Sequence, residues 1–481
     1  MRFAALSGVI SVLLLAIGCG KESKPIGQKP LPAPTATETN PQDAPRRAAE
    51  DDAAAEYRLA CKALPTKIAD SKLDYFLTTT LQASPPDVLT QYPEAKAVIL
   101  GYEQAVRLLR RGAAMKNCAF EMDRRGLGPF AVPDIQPLRD LAKRAVAYGK
   151  LLESQGRSEE AAGVYLDIIR MSNHIGQNAD PTQLLCALSI SNRGVRKLQS
   201  MLSRNVDGKI ARIILDGLKG MPEQPFSLSR TIDLDRDSVI NWFEAAIKDD
   251  FTGKGLEEAR KAFEANEFRT VAESLGLGRI PDNVSLPTDR AGLKKLLNTW
   301  LAEYAADMNM LAKTADGAYP ICWPELVKIE KGIEARSTKD GNPFLVFVPS
   351  LSVIKSSITG TEACLGATKL LAAACLNRAS DGKHPDFLEG LRMHFPHGLP
   401  IDPFTGENYL YRMEDGLPTV EANGDDEEYR KARPAMCIFR LSDIKRREAE
   451  RMRNWPADWE EQVKANHDLG KEAPPSVPPR R

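Results

Sequence analysis

Histidine and aromatic side chains are scarce in this chain, which has five histidines and an aromatic share of 6%. Few aromatics beside abundant Ala and Leu argue against a sheet sandwich and for helices. An excess of one charge is missing too, because Lys plus Arg equals Asp plus Glu at 65 each. A balanced chain sets up no global field toward nucleic acid or acidic lipid, so no nucleic-acid partner is expected. Catalytic signatures are also lacking: there is no serine elbow, no H-E-x-x-H, no Cys/His pair with a local signature and no Gly-Lys-Ser/Thr phosphate loop. The eight cysteines form no C-x-x-C pair, which argues against structural zinc and thioredoxin chemistry.

What is present starts at the N-terminus. Arg2 precedes an apolar run from Leu6 to Ile17, and Leu15-Ala16-Ile17-Gly18-Cys19 closes it with small residues before a cysteine. The run is too short for an uncleaved anchor. An ordinary secretory signal is one reading, but the segment resembles the lipobox of bacterial lipoproteins. That resemblance implies cleavage before Cys19, acyl chains on it and a firm hold on the bilayer. Gly20 and Lys21, rather than aspartate, imply by the family's sorting preference an outer-membrane location facing the periplasm.

Residues 20–50 hold six prolines and almost no large apolar side chain, the composition of a disordered tether. From 51 to 340 the hydrophobic period is helical. Segments Ala53–Lys62, Tyr92–Met115, Leu138–Gln155, Ser158–Gly176, Thr182–Arg204, Ser227–Asp249, Ala291–Ala315 and Trp323–Arg336 are predicted as helices. Gly149, Gly156, Ala161 and Tyr165 give one pair a resemblance to a tetratricopeptide unit, with no echo 34 residues away. Stacked helix pairs of this kind leave a surface suited to proteins. The acids from Asp233 to Asp237 lack the glycine and distal glutamate of an EF-hand, and Asp237-Ser238 fits a helix start.

Besides Cys19 there are Cys61, Cys118, Cys186, Cys322, Cys364, Cys375 and Cys437, an odd set with no disulfide framework. Cys364 and Cys375 sit about 16 Å apart on one predicted helix, too far to bond. A Cys61–Cys118 bond stays open beside buried thiols.

The stretch Leu351–Arg440, within a C-terminal unit spanning 341–442, organises the rest. Leu351, Ile354, Ile358, Leu365, Ala372 and Cys375 mark one helix face, and Leu370–Leu376 is apolar all round, so a core helix is expected. Asp381-Gly382 ends it and Pro385 bars its resumption. Tyr409–Met413 and Met436–Leu441 read as strands, Glu414-Asp415-Gly416 as a turn, and Asn423–Glu428 as an acidic loop. Residues 443–481 form a charged tail that starts as a solvated helix.

This order of features resembles the soluble part of the type II secretion major pseudopilin, carried by Gly382, Pro385, Asp402, Pro403, Phe404, Gly406, Tyr409 and Tyr411. The prepilin cleavage site and apolar pilin helix are missing, so fibre assembly is not implied. The resemblance implies a calcium site at Asn423, Asp425 and Asp426 and an envelope or secretion-system partner. The whole chain also resembles a group of uncharacterised bacterial lipoproteins, which implies no activity.

Three of the five histidines, His384, His394 and His397, fall within fourteen residues, and with Asp386 or Asp402 they offer transition-metal ligands. His384 stands where the pseudopilin pattern has an aromatic, which argues for packing. The expected fold is mainly α: an irregular helical array, tetratricopeptide-like in part, with a small C-terminal α+β module of two or three short antiparallel strands. The expected function is a non-catalytic, lipid-anchored envelope scaffold. The alternative is a metal-dependent enzyme or metal-binding protein centred on residues 384–397.

Overall fold

The computed structural model describes residues 52–65, 71–118, 120, 135–204, 207–253, 256–275, 277, 280, 284–340, 342–422 and 438–454. Cys19, the 20–50 tether, the acidic run with Asn423, Asp425 and Asp426, Cys437 and the tail beyond 454 lie outside them.

Helix follows helix, and five of them start on a side-chain cap, at Asp52, Asp180, Asp207, Ser227 and Asp289. α1 (Ala53–Ala63) begins at Asp52, whose carboxylate accepts the Ala54 N–H. α2 (Ser71–Tyr75) passes through a π-helical turn (Phe76–Thr80) into α3 (Leu81–Ala83), and a 3₁₀ turn (Pro86–Gln91) follows. α4 (Pro93–Leu100) and α5 (Glu103–Ala114) replace the single helix expected over Tyr92–Met115. Gly101 and Tyr102 close a tight turn there, bonding back to Val98 and Ile99, and Tyr102 drops wholly into the core.

α6 (Gln136–Ser154) and α7 (Ser158–Gly176) form a hairpin turned at Gly156, whose φ of 77° favours glycine. A Cβ on Gly149 would lie 2.4 Å from the Tyr165 ring, so only glycine lets the two helices come this close. α8 (Pro181–Ser203) starts on a capping box between Asp180 and Gln183. α9 (Gly208–Lys219), capped by Asp207, is a helix the sequence pattern missed, because it is short and carries two glycines. α10 (Leu228–Lys248) begins at Ser227. The Asp233–Asp237 acids therefore lie in mid-helix rather than at a helix start, and Asp233 and Asp237 both bond Arg236 at 2.7 Å. α11 (Glu257–Glu264) and α12 (Phe268–Ser274) were likewise too short to read from periodicity. α13 (Arg290–Ala315), α14 (Tyr319–Asp340) and a 3₁₀ turn (Pro343–Phe347) lead into α15 (Leu351–Asp381), which ends as expected on left-handed Gly382.

Two helical stacks meet on α15. In one, α1 leans on α5, α5 on α7, and α6, α8 and α9 on α7, with α8 and α9 both touching α15. In the other, α10 pairs with α13, α13 with α14, and α14 with α15. Most of the 31 residues of α15 are buried, including all of Leu370–Leu376. By length and composition the span from Pro343 to Asp381 is apolar enough to cross a membrane, but this enclosure makes it a core helix.

Beyond a 3₁₀ turn (Leu388–His394) the chain forms β1 (Leu410–Glu414), β2 (Leu417–Glu421) and β3 (Ile438–Arg440), antiparallel in the order β1-β2-β3. Leu410 faces Glu421 and Val420 faces Phe439. Asp415 and Gly416, with φ of 51° and 72°, make the expected turn. The strand after that turn was not anticipated, since Pro418 hides it. α16 (Leu441–Asn454) takes over at Leu441, to which the second of the two strands read from the sequence was expected to run. Instead of standing in solvent it docks on α8 and β2. The six described cysteines form no disulfide among themselves, so the Cys61–Cys118 alternative falls.

Candidate interaction module

The motif residues that define the C-terminal module are placed, one by one, in turns and packing contacts. Asp402 is fully buried. Its Oδ1 accepts the Phe404 N–H at 2.9 Å and its carbonyl accepts the Gly406 N–H at 2.8 Å. That closes a tight loop over Pro403, which Gly406 completes with a φ of 78°. Phe404 is thereby aimed edge-on at Tyr319, with ring centres 5.0 Å apart. Tyr409 donates to Ala363 O at 3.1 Å across Gly366, where a Cβ would sit 2.3 Å from the hydroxyl. Tyr411 donates to Pro385 O at 3.0 Å. Gly382 donates to Arg378 O at 3.0 Å. None of these eight residues is left over for chemistry.

The histidines do not converge. His384 is buried, its Nδ1 donates to Ala374 O at 3.0 Å, and burial pushes its imidazole below the ordinary value. His394 bonds the Asn377 side chain through Nε2. Burial pushes it down as well, and Arg212 and Lys219 push the same way, surroundings that also disfavour a metal cation. His397 is exposed. Among the described residues no three His, Cys, Asp or Glu side chains form a group that could hold a metal ion. The proposed calcium ligands lie outside the described residues.

The module exposes several large apolar side chains among charged ones such as Lys383, Asp386, Glu389 and Arg392. A 3₁₀ turn has three residues per turn, so Leu388 and Leu391 face inward while Phe387 and Met393 share the outer side. Phe387 and Met393 are 74% and 76% exposed, the highest values among the module's large apolar side chains. Ile401 and Leu410 are exposed on the same module.

One chemically distinct group escaped the sequence reading. Glu362 lies on α15 next to Ala363, whose carbonyl accepts the Tyr409 hydroxyl. Burial pushes its carboxyl up to about 7, Asp316 adding to the effect and Lys355 opposing it. Among the described residues it has no hydrogen-bond or ion-pair partner. Lys355 instead donates to Gly317 O at 3.0 Å, and Asp316 accepts from Ser227 Oγ at 2.9 Å and the Ser229 N–H at 3.0 Å. The available signal was a single acid between Leu351 and Ser380, in a helix with a long apolar face. Comparison with protein-family models, curated proteins and solved structures finds no match for this chain.

Proposed function

We propose that this protein is a lipid-anchored, non-catalytic scaffold of the bacterial envelope, tethered through Cys19 and offering its C-terminal module to another envelope protein. The observation that carries the reading is the Leu15-Ala16-Ile17-Gly18-Cys19 sequence behind a basic start and an apolar run. Support comes from a module whose motif residues serve turns and packing while Phe387, Met393, Ile401 and Leu410 stay exposed. Expression in a bacterial host with labelled fatty acid tests it: the wild type takes up label and stays with membranes, and Cys19→Ser does neither. Equal membrane retention of both forms overturns the reading. Calcium at Asn423, Asp425 and Asp426 belongs to the same proposal. It predicts a calcium-dependent rise in melting temperature that Asp425→Ala abolishes, and no rise removes calcium from it.

A further inference from the structure

Charge balances over the whole chain but not over its first folded elements. The pair α1 and α5, with the residues just beyond α5, carries Arg58, Lys62, Arg107, Arg110, Arg111 and Lys116, all of them exposed. The acids on the same elements are Asp52, Glu56 and Glu103, and only Glu103 stands exposed. Six cations against three acids leave this pair a local excess of three positive charges.

Packing gathers these cations on one side of the body. The two helices run antiparallel: the Ala53 N–H donates to Asn117 O at 3.0 Å, and Arg111 Nη2 donates to Glu56 Oε1 at 2.7 Å one turn further along. The first bond sets Lys116 beside the start of α1. The second turns the Glu56 side of α1 toward the outer face of α5. Leu59 follows Glu56 by one turn on that side and is 49% exposed, and Lys62 follows Leu59 by another. On α5, Arg107 precedes Arg111 by one turn.

The carboxylates within reach lie beneath this face or are already engaged. Glu56 is buried under Arg111, and the buried Asp167 is shared by Arg110 at 3.2 Å and Arg170 at 2.7 Å. Glu103 reaches Arg107 at 3.8 Å, and Glu160 on α7 bonds Arg157 at 2.7 Å. Among the described residues Arg58, Lys62 and Lys116 have no ion pair, and Arg58 lies 5.9 Å over the Phe120 ring. Long cationic side chains around one exposed leucine suit the boundary between headgroups and acyl chains.

We propose that the outer face of α1 and α5 lies against an anionic phospholipid surface, its lysines and arginines at the headgroup phosphates and Leu59 among them. The choice of lipid over an acidic protein rests on the anchor reading above. The chain that follows Cys19 enters the folded body at Asp52, which bridges to Asn117 at the Lys116 end of this face. An acylated Cys19 therefore brings the bilayer to the end of the molecule that carries the surplus positive charge. The C-terminal module is built on other elements, α15 and α16, so the lipid-facing and partner-facing surfaces are separate.

Partition of the full-length Cys19→Ser chain onto phosphatidylglycerol vesicles, against phosphatidylcholine vesicles, reads this face without the anchor. Comparing it with a Cys19→Ser chain that also carries Lys62→Gln and Lys116→Gln cancels whatever residues 1–18 add. One cation at an anionic surface is worth a factor of about five, so the preference for phosphatidylglycerol should fall about tenfold or more in the second chain. An equal preference in both chains overturns the proposal. So does no preference at all, the result an acidic protein partner for this face would give. Lys62 and Lys116 are exposed and unpaired, so their replacement leaves the fold intact. Fatty-acid labelling of Cys19 is a separate measurement: an unlabelled protein whose preference still depends on Lys62 and Lys116 keeps this proposal and loses the anchor, and a labelled protein without the preference does the reverse.

Discussion

Replacing Glu362 with glutamine should change how stability depends on pH. An unfolded glutamate titrates near 4.5, whereas burial in the seam beside α15 raises the folded value to about 7. Below pH 4.5 both states hold the proton, and nothing separates them. Between 4.5 and 7 the unfolded chain releases the proton while the folded protein keeps it, so stability falls as pH rises. Above 7 both forms are ionised, and the loss is complete. The gap of about 2.5 pH units corresponds to about 3.4 kcal/mol at 1.36 kcal/mol per unit. Glu362 keeps some contact with water, so about half of that, roughly 1.5 kcal/mol, is the expected size. Urea unfolding of wild type and Glu362→Gln from pH 4.5 to 8.5 reads it directly. The difference between the two proteins isolates this carboxyl from the buried histidines, which titrate identically in both. Glu362→Gln should gain on the wild type steadily up to pH 7 and then hold its lead. A difference that stays flat across the range would refute the account of an unpartnered, desolvated acid.

Gly366→Ala places a methyl 2.3 Å from the Tyr409 hydroxyl and forces the ring off Ala363 O; a loss of about 1–3 kcal/mol in urea unfolding is expected, and an unchanged midpoint would show that the ring can move freely. Gly149→Ala meets the Tyr165 ring at 2.4 Å and should cost a similar amount, with the α6–α7 hairpin opening first in hydrogen exchange. Asp402→Ala strips the Phe404 N–H of its acceptor inside a fully buried loop; a drop of about 1–3 kcal/mol is expected, and none would mean the loop is held by other contacts. Glu448→Ala removes the link from α16 to Ser200 and Arg204, so amide exchange across 441–454 should speed up while α15 stays protected.

Long helices were legible because their hydrophobic period runs over many turns and a start or stop signal lies within a few residues of it. Ser158–Gly176 was predicted at its observed bounds, and Gly382 ends α15 through a conformation that its lack of a Cβ makes cheap. The elements that escaped were short or locally ambiguous. α9, α11 and α12 are helical because neighbours cover their apolar faces, and β2 is a strand because Met413 and its neighbours pair with a segment that holds a proline. The break at Gly101 depends on Tyr102 finding the core, which no window of sequence displays.

Sequence alone determined the helical character, the ends of the long helices and the turn chemistry of residues 402–416, because each is decided by residues a few positions apart. Only the tertiary structure decided that the clustered histidines point to separate partners and that Glu362 on α15 is left without a donor. Proximity in the chain does not imply convergence in space. Desolvation and charge repulsion act between side chains dozens of residues apart, and they acquire magnitudes only once the helices are packed.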